Sequence, residues 1–156
     1  MCREWKKRKN GSASLMLTKL LMAWCLMALC VVVHSTGLIA ALQWASRTCV
    51  PKAFSSRAGT WLLIRLASWI IFLHLLEIVL WALYYAWNEA LPDLHSAFYF
   101  SVVTYTTVGY GDLVLPREWR LVGGVEALTG ILMCGLSTGF FFAVLSRLHR
   151  DPTSHA

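Results

Sequence analysis

The segment TYTTVGYGD, residues 104–112, decides how the rest of the chain is interpreted. Two glycines flank a tyrosine directly after a run of threonines, within otherwise apolar sequence. Glycine adopts positive φ angles more readily than any other residue, so the pattern indicates an unusual backbone. The threonines and the tyrosine indicate polar contacts. The sequence on either side shows where in the protein such a backbone would lie.

Composition places the chain in a membrane. Of its 156 residues, 58% are hydrophobic and only 14% are charged, which is too apolar for an ordinary soluble domain. Eight tryptophans and five tyrosines fit the same class, because their amphipathic rings favour the level of the lipid headgroups. The length allows one compact domain. The sequence therefore predicts a protein whose surroundings are the lipid bilayer.

Positive charge is concentrated near the amino terminus. The formal net charge is +6, and basic residues in short tails and linkers suit anionic lipid rather than nucleic acid, which requires a folded basic face. Five cysteines without a C-x-x-C pair argue against a disulfide or zinc framework. The basic residues concerned are Arg3, Lys6, Lys7, Arg8 and Lys9, with a weaker group at Arg47, Lys52 and Arg57.

Three apolar runs are long enough to cross the hydrocarbon as helices, which takes about 20 residues. The first is interrupted by the polar tetrapeptide at 34–37. We predict a basic tail at 1–19, an extra transmembrane helix at 20–42, a polar linker at 43–60, a pore domain at 61–148 with membrane spans at 61–87 and 121–148, and a short tail at 149–156.

A shorter apolar stretch lies between the second and third spans. It begins after a turn signal at Pro92, with Asp93 or Ser96 as the helix cap, and is predicted to end near Tyr105. Its length suits a helix that enters the membrane and returns. The quoted segment would then lie at membrane depth, where irregular backbone must be buried in protein or line a water-filled path.

Residues 107–111 read TVGYG, which matches all five positions of the sequence whose carbonyl oxygens replace the hydration shell of potassium in channel filters. On these residues the chain resembles the pore-loop potassium channels with a two-helix pore, over roughly 61–148. The resemblance implies an all-α membrane protein. Each chain would supply an outer helix, a re-entrant pore helix with filter, an inner helix and one extra amino-terminal helix, in a homotetramer.

The resemblance also assigns roles to residues. Carbonyls of Thr107, Val108, Gly109 and Tyr110, with the Thr107 hydroxyl, would bind K+ as the permeant ion, Gly111 would complete the filter, and no cofactor is implied. An ordinary strand alternates its carbonyls between faces, and the two glycines would relieve that alternation. Thr106, Asp112, Tyr99 and Phe100 would support the filter from behind. Val103 stands where some bacterial relatives have glutamate, so a carboxyl pair with Asp112 is not expected.

Several residues outside the filter are candidates for gating. Glycines in the inner helix serve either as hinges or as small residues for close packing, and intramembrane carboxylates usually face a protein interior or a pathway. His74 and Glu77 share a helix face and could form a proton-sensitive contact, with His34 as a third member. Glu126 either bonds the pore helix or filter support, or is a protonated acid satisfied inside the bundle. The candidates are Gly130, Gly135, Glu126, His74 and Glu77.

Orientation follows from the filter, which faces outside in this family. The second span would run outward and the linker would be cytoplasmic, as its basic residues require. One crossing before that linker puts the basic amino terminus outside, against the rule. The first span therefore crosses against the rule, lies at the interface, or is a targeting segment that is removed. Trp81, Tyr84, Tyr85, Trp87 and Trp119 would form an outer aromatic belt.

Small bacterial ion channel proteins look similar along almost the full chain, which favours three true spans and the bacterial inner membrane. The function implied is passive, potassium-selective conduction. Two alternatives are a weakly selective cation channel and a non-conducting regulatory subunit of another channel. No enzyme is expected: GLSTG at 135–139 matches G-x-S-x-G, but that motif needs a strand, a turn and a helix, and it lies within an apolar span.

Overall fold

The computed structural model describes residues 2–48 and 56–149, and within these ranges the chain is helical with no strand. A 3₁₀ turn precedes the last helix. This confirms the expected all-α membrane class. The elements are α1 at Cys2–Thr48, α2 at Ser56–Trp87, α3 at Leu94–Tyr105, the 3₁₀ turn at Arg117–Trp119, and α4 at Arg120–His149.

Three helices are long and apolar enough to cross a membrane, as predicted: Ser14–Ala45, Gly59–Trp87 and Arg117–Ser146. The polar interruption at 34–37 does not break α1. The Thr36 hydroxyl donates to the Val32 carbonyl at 2.7 Å, so the polar side chain is satisfied by the helix itself. Helix also covers both ends of the predicted linker at 43–60, because α1 ends at Thr48 and α2 begins at Ser56.

Helix α3 has the predicted cap and the predicted end. Asp93 is the N-cap, and its carboxylate accepts from the Ser96 amide at 2.8 Å and from the Ser96 hydroxyl at 2.9 Å. The cap lowers the pKa of Asp93, mainly through the Ser96 amide. Twelve residues span about 18 Å as an α-helix, short of the ~30 Å of hydrocarbon. Helix α3 is therefore too short to cross the membrane.

The chain divides into two compact units. The first comprises Met1–Cys30 and Glu77–Ile131, and its core is aromatic. Trp81 and Tyr85 are fully buried, with ring centroids 6.2 Å apart, and the Lys19 ammonium lies 3.9 Å from the ring centroid of Trp119. The predicted outer aromatic belt is thus wrong for three of its five residues, Trp81, Tyr85 and Trp119, because packing between helices buries them.

The second unit comprises Val31–Leu76 and Leu132–Ala156. Small residues bring α1 and α2 close together in it: a β-carbon at Gly37 would lie 2.7 Å from the Leu73 side chain, and the Trp69 indole donates to the Gly37 carbonyl at 3.0 Å. The Arg65 guanidinium lies 5.1 Å from the Trp44 ring centroid. Buried aliphatic residues complete this core: Leu38, Ala41, Ala45, Leu62, Leu66, Ile70, Leu73 and Val144, with Phe140 and Phe141 against them.

Candidate functional site

The TVGYG segment has an alternating backbone. Thr107, Gly109 and Gly111 have φ angles of 61°, 55° and 77°, whereas Val108 and Tyr110 between them have negative φ. Glycine tolerates positive φ, but a β-branched threonine there is a genuine outlier. Left-handed backbone at a non-glycine residue persists only where the surroundings impose it, and it clusters at functional sites. The alternation removes the two-sided carbonyl pattern of a strand, so successive carbonyls can face one side.

Hydrogen bonds tie the amino-terminal end of this segment to α3. The Thr106 amide and hydroxyl both donate to the Val102 carbonyl, at 3.1 and 2.6 Å. The Thr107 amide donates to the Thr104 carbonyl at 2.9 Å, and the Gly109 amide reaches back to the Val103 carbonyl at 3.2 Å. These bonds satisfy carbonyls that the end of a helix leaves unpaired. The TVGYG segment is therefore fixed to the helix that precedes it.

The carboxyl-terminal end of the segment is held by a side-chain pair. The Tyr99 hydroxyl on α3 donates to Asp112 Oδ2 at 2.6 Å, and the Leu113 amide donates to Asp112 Oδ1 at 3.0 Å. The hydrogen bond from Tyr99 lowers the pKa of Asp112, and the same bond raises the pKa of Tyr99. Asp112 is thus held ionised and Tyr99 protonated. Two of the residues predicted to support the filter meet here.

A cleft of about 170 Å³ lies between α3 and the TVGYG segment. Tyr99, Asp112 and Val103 line it. Val103, at the position where some bacterial relatives have glutamate, contributes an apolar side chain to this lining. Phe100, also predicted as filter support, packs edge-on to the Tyr85 ring at 5.4 Å between centroids. Tyr110 is 72% exposed in a single chain.

Two carboxylates are fully buried within the first unit, and each accepts a hydrogen bond from a tyrosine. The Tyr105 hydroxyl at the end of α3 donates to Glu77 on α2. The Tyr85 hydroxyl on α2 donates to Glu126 on α4 at 2.8 Å. The structure thus places Glu126 against α2, while the Ser101 hydroxyl on α3 lies near the same carboxyl group. A carboxylate at membrane depth is costly, and these two bonds join α2 to α3 and α2 to α4.

The two inner-helix glycines predicted as hinges have different surroundings. A β-carbon at Gly130 would lie 2.8 Å from the Tyr105 carbonyl carbon, and closer still to its oxygen. Distances under 3.0 Å are essentially never adopted by real β-carbons. A β-carbon at Gly135 would meet nothing within 4 Å in the chain. Gly130 is therefore required for close packing of α4 on the end of α3.

A polar cluster in the second unit, which we call the His–Ser–His cluster, joins His34, Ser137 and His74. The Ser137 hydroxyl lies 2.9 Å from His34 Nε2 and 3.1 Å from His74 Nε2. The ring centroids of the two histidines are 5.0 Å apart. The cluster links α1, α4 and α2. Sequence reasoning selected both histidines, but it met Ser137 only as the serine of the G-x-S-x-G match and did not connect it with them.

Sequence reasoning also missed the tyrosine partners. Tyr85 was expected in the aromatic belt, and Tyr105 was predicted only as the end of the pore helix. One signal was available: a buried acid needs a donor, and a tyrosine near a membrane span supplies one at little cost in polarity. The sequence gives no means of choosing between several tyrosines.

Comparisons with known proteins support the channel interpretation. A family model described as ion channel matches residues 61–147. The potassium voltage-gated channel protein shk-1 of Caenorhabditis elegans is 35% identical over 89 residues, which are 53% of this chain and 17% of that protein. The potassium voltage-gated channel protein Shal of Drosophila melanogaster is 35% identical over 60 residues, 38% of this chain and 10% of that protein. No solved structure matches.

The chain spans less than a fifth of the length of these two relatives, so the likeness concerns only a part of each. The family match covers more than half of the chain and includes α3, the TVGYG segment and most of α4. It also confirms the expectation that the chain is not an enzyme. This protein belongs to the ion channel family, with a pore-loop domain between two membrane-spanning helices.

Proposed function

We propose that the chain is the subunit of a homotetrameric, potassium-selective channel that conducts K+ passively across the membrane. The observation that carries this proposal is the alternation of φ angles at Thr107, Gly109 and Gly111 within a complete TVGYG sequence. Rings of backbone carbonyls from four such segments replace the water around a dehydrated K+. The two relatives to which part of the chain is similar are called potassium channels.

The end of helix α3 that adjoins the TVGYG segment favours the passage of cations. Its carboxyl end at Tyr105 leads directly into the filter, and a helix carboxyl end carries about half a negative charge. Four such ends around one axis would stabilise a cation at the inner entrance. No acidic residue occupies the last turn of α3, so the helix termini and the filter carbonyls supply the attraction.

The exposure of apolar side chains supports assembly. Val108 is 52% exposed in one chain, although by resemblance it points away from the pore into protein. Several residues on α4 are also exposed, which a neighbouring subunit or lipid would cover: Leu121, Leu128, Ile131 and Leu132. A single filter segment cannot surround an ion, whereas a ring of four closes the site.

The proposal is tested by measuring the reversal potential of the purified protein in planar bilayers, with K+ on one side and Na+ on the other. A value near the K+ equilibrium potential is expected. Gly109→Ala should abolish this selectivity, because an L-residue is strained at φ 55°. Gly124→Ala is the matched control, since a β-carbon there meets nothing within 4 Å in the chain.

Other results would favour the alternatives. A reversal potential near zero would show a weakly selective cation channel. A silent bilayer with a verified tetramer, over a range of voltage and pH, would favour a non-conducting regulatory subunit. Cross-linking in native membranes tests the tetramer itself, and fractionation of bacterial cells tests the proposed inner-membrane location.

A further inference from the structure

The last residue of α3 is held from two sides. Tyr105 is 1% exposed, and its hydroxyl donates to the Glu77 carboxylate, which is fully buried on α2. Its main chain packs directly on Gly130 of α4, where a β-carbon would fall 2.8 Å from the Tyr105 carbonyl carbon. Side chain and backbone of this one residue are thus fixed by different membrane-spanning helices.

Tyr105 stands two residues before the strained start of the filter. Thr107 has a φ of 61°, and its amide bonds back to Thr104 at 2.9 Å, within the same turn that holds Tyr105. A β-branched residue in left-handed backbone stays there only if its surroundings over-determine it. A shift of Tyr105 would therefore be transmitted through one residue, Thr106, to the Thr107 carbonyl.

The second feature is the placing of the Glu77 carboxylate within a membrane span. A carboxylate within a membrane span is expensive and is usually retained for a specific partner. The partner here is a tyrosine from the pore helix, 28 residues along the chain. The other buried acid, Glu126, has the same chemistry but a different attachment, since its tyrosine belongs to the outer helix α2.

We propose that Glu77 is a positioning residue for ion selection: through the Tyr105 hydroxyl it sets the orientation of the Thr107 carbonyl at the inner end of the filter. The inference rests on the proposed potassium-selective function and adds to it a residue that acts through Tyr105. Glu77 fixes the helix end from which the filter segment starts.

The variants Tyr105→Phe and Glu77→Gln separate this role from a general structural one. Tyr105→Phe keeps the ring and removes only the hydroxyl. Glu77→Gln keeps an amide oxygen that accepts from the same hydroxyl. We expect the sodium-to-potassium permeability ratio to rise about fivefold to tenfold in Tyr105→Phe, as the loss of one buried hydrogen bond allows. In Glu77→Gln it should stay within about twofold of wild type.

Tyr85→Phe is the matched control. It removes an equivalent hydroxyl from the second buried acid, Glu126, while keeping the ring that packs on Phe100. We expect it to lower thermal stability without changing the permeability ratio. The double variant that combines Glu77→Leu and Tyr105→Phe should have a sodium-to-potassium permeability ratio no higher than that of the more affected single variant, because both changes remove the same interaction.

The experiment measures reversal potentials of wild type and variants in the same bilayers, with the thermal stability of each protein measured in detergent. The inference is supported if the wild type is selective, Tyr105→Phe raises the sodium-to-potassium permeability ratio and Tyr85→Phe leaves it unchanged. A selective wild type whose selectivity survives Tyr105→Phe overturns the inference and leaves the proposed function intact. A wild type that does not select overturns both. If Glu77→Leu fails to assemble, Tyr105→Phe alone decides.

Discussion

Replacement of Gly130 by alanine distinguishes a packing glycine from a gating hinge. The added methyl group would lie 2.8 Å from the Tyr105 carbonyl carbon, whereas ordinary contact begins at 3.4 Å. Helix α4 must therefore move by more than half an ångström away from α3, because the obstacle is backbone and has no other rotamer to adopt. The movement would disturb the helix end that leads into the filter.

The size of the effect follows from two opposing contributions. An extra methyl group in a well-packed interior costs typically about 1–3 kcal/mol, and contact with backbone places Gly130→Ala towards the upper end. Alanine favours a helix over glycine by about 1 kcal/mol. We expect a net loss of roughly 2 kcal/mol per chain. Gly124→Ala, where nothing lies within 4 Å in the chain, should be neutral or slightly stabilising.

The assay is thermal unfolding of the purified protein in detergent, combined with single-channel recording. Gly130→Ala should unfold at a lower temperature than wild type and show altered selectivity or loss of current. If Gly130→Ala were as stable as Gly124→Ala and changed only the rate of opening, the packing argument would be refuted and a hinge favoured. Gly135→Ala then tests the second candidate hinge without a steric obstacle within its own chain.

Three further predictions concern polar contacts. Tyr99→Phe removes the donor to Asp112 and should speed the decay of current during sustained opening, as measured by voltage steps. The hydrogen bond lowers the pKa of Asp112 from 3.8 and raises that of Tyr99 from 10.0. Its stabilising contribution is therefore complete between these two ordinary values. The contribution is lost as the pH falls through the lowered pKa of Asp112 or rises through the raised pKa of Tyr99. Current decay should therefore show no Tyr99-dependent titration near neutral pH, and a midpoint there that Tyr99→Phe abolishes would contradict the assignment. Ser137→Ala removes the hydroxyl shared by the His–Ser–His cluster and should cost about 1–3 kcal/mol of stability, whereas Thr138→Ala, whose hydroxyl bonds its own helix at 2.9 Å, should cost less in the same unfolding assay.

Local patterns in the sequence predicted the main elements of the fold. Runs of apolar residues located the three spans, and the cap at Asp93 located the start of α3. The first span differs in one respect: residues 34–37 were expected to interrupt it, but α1 is continuous there. A threonine hydroxyl can bond a carbonyl of its own helix, so polar residues in an apolar run do not by themselves end a helix.

The candidate site was predictable in part. The TVGYG residues were selected from the sequence because glycines at fixed spacing indicate an unusual backbone, and the structure has positive φ at both of them. The left-handed angle at Thr107 was not predicted, since residue type argues against it. Both buried acids were selected for their cost in a membrane, but their partners were not identified.

The sequence by itself determined the class of the protein, its spans and the position of its TVGYG segment, because hydropathy, capping and a five-residue motif act over a few neighbouring residues. The tertiary structure alone decided what each buried polar group contacts. The bonds from Tyr105 to Glu77, from Tyr85 to Glu126 and between His34 and Ser137 join residues 28, 41 and 103 positions apart. Such pairs form only when separate helices pack side by side, and the order of residues along one helix contains no information about the neighbouring helix.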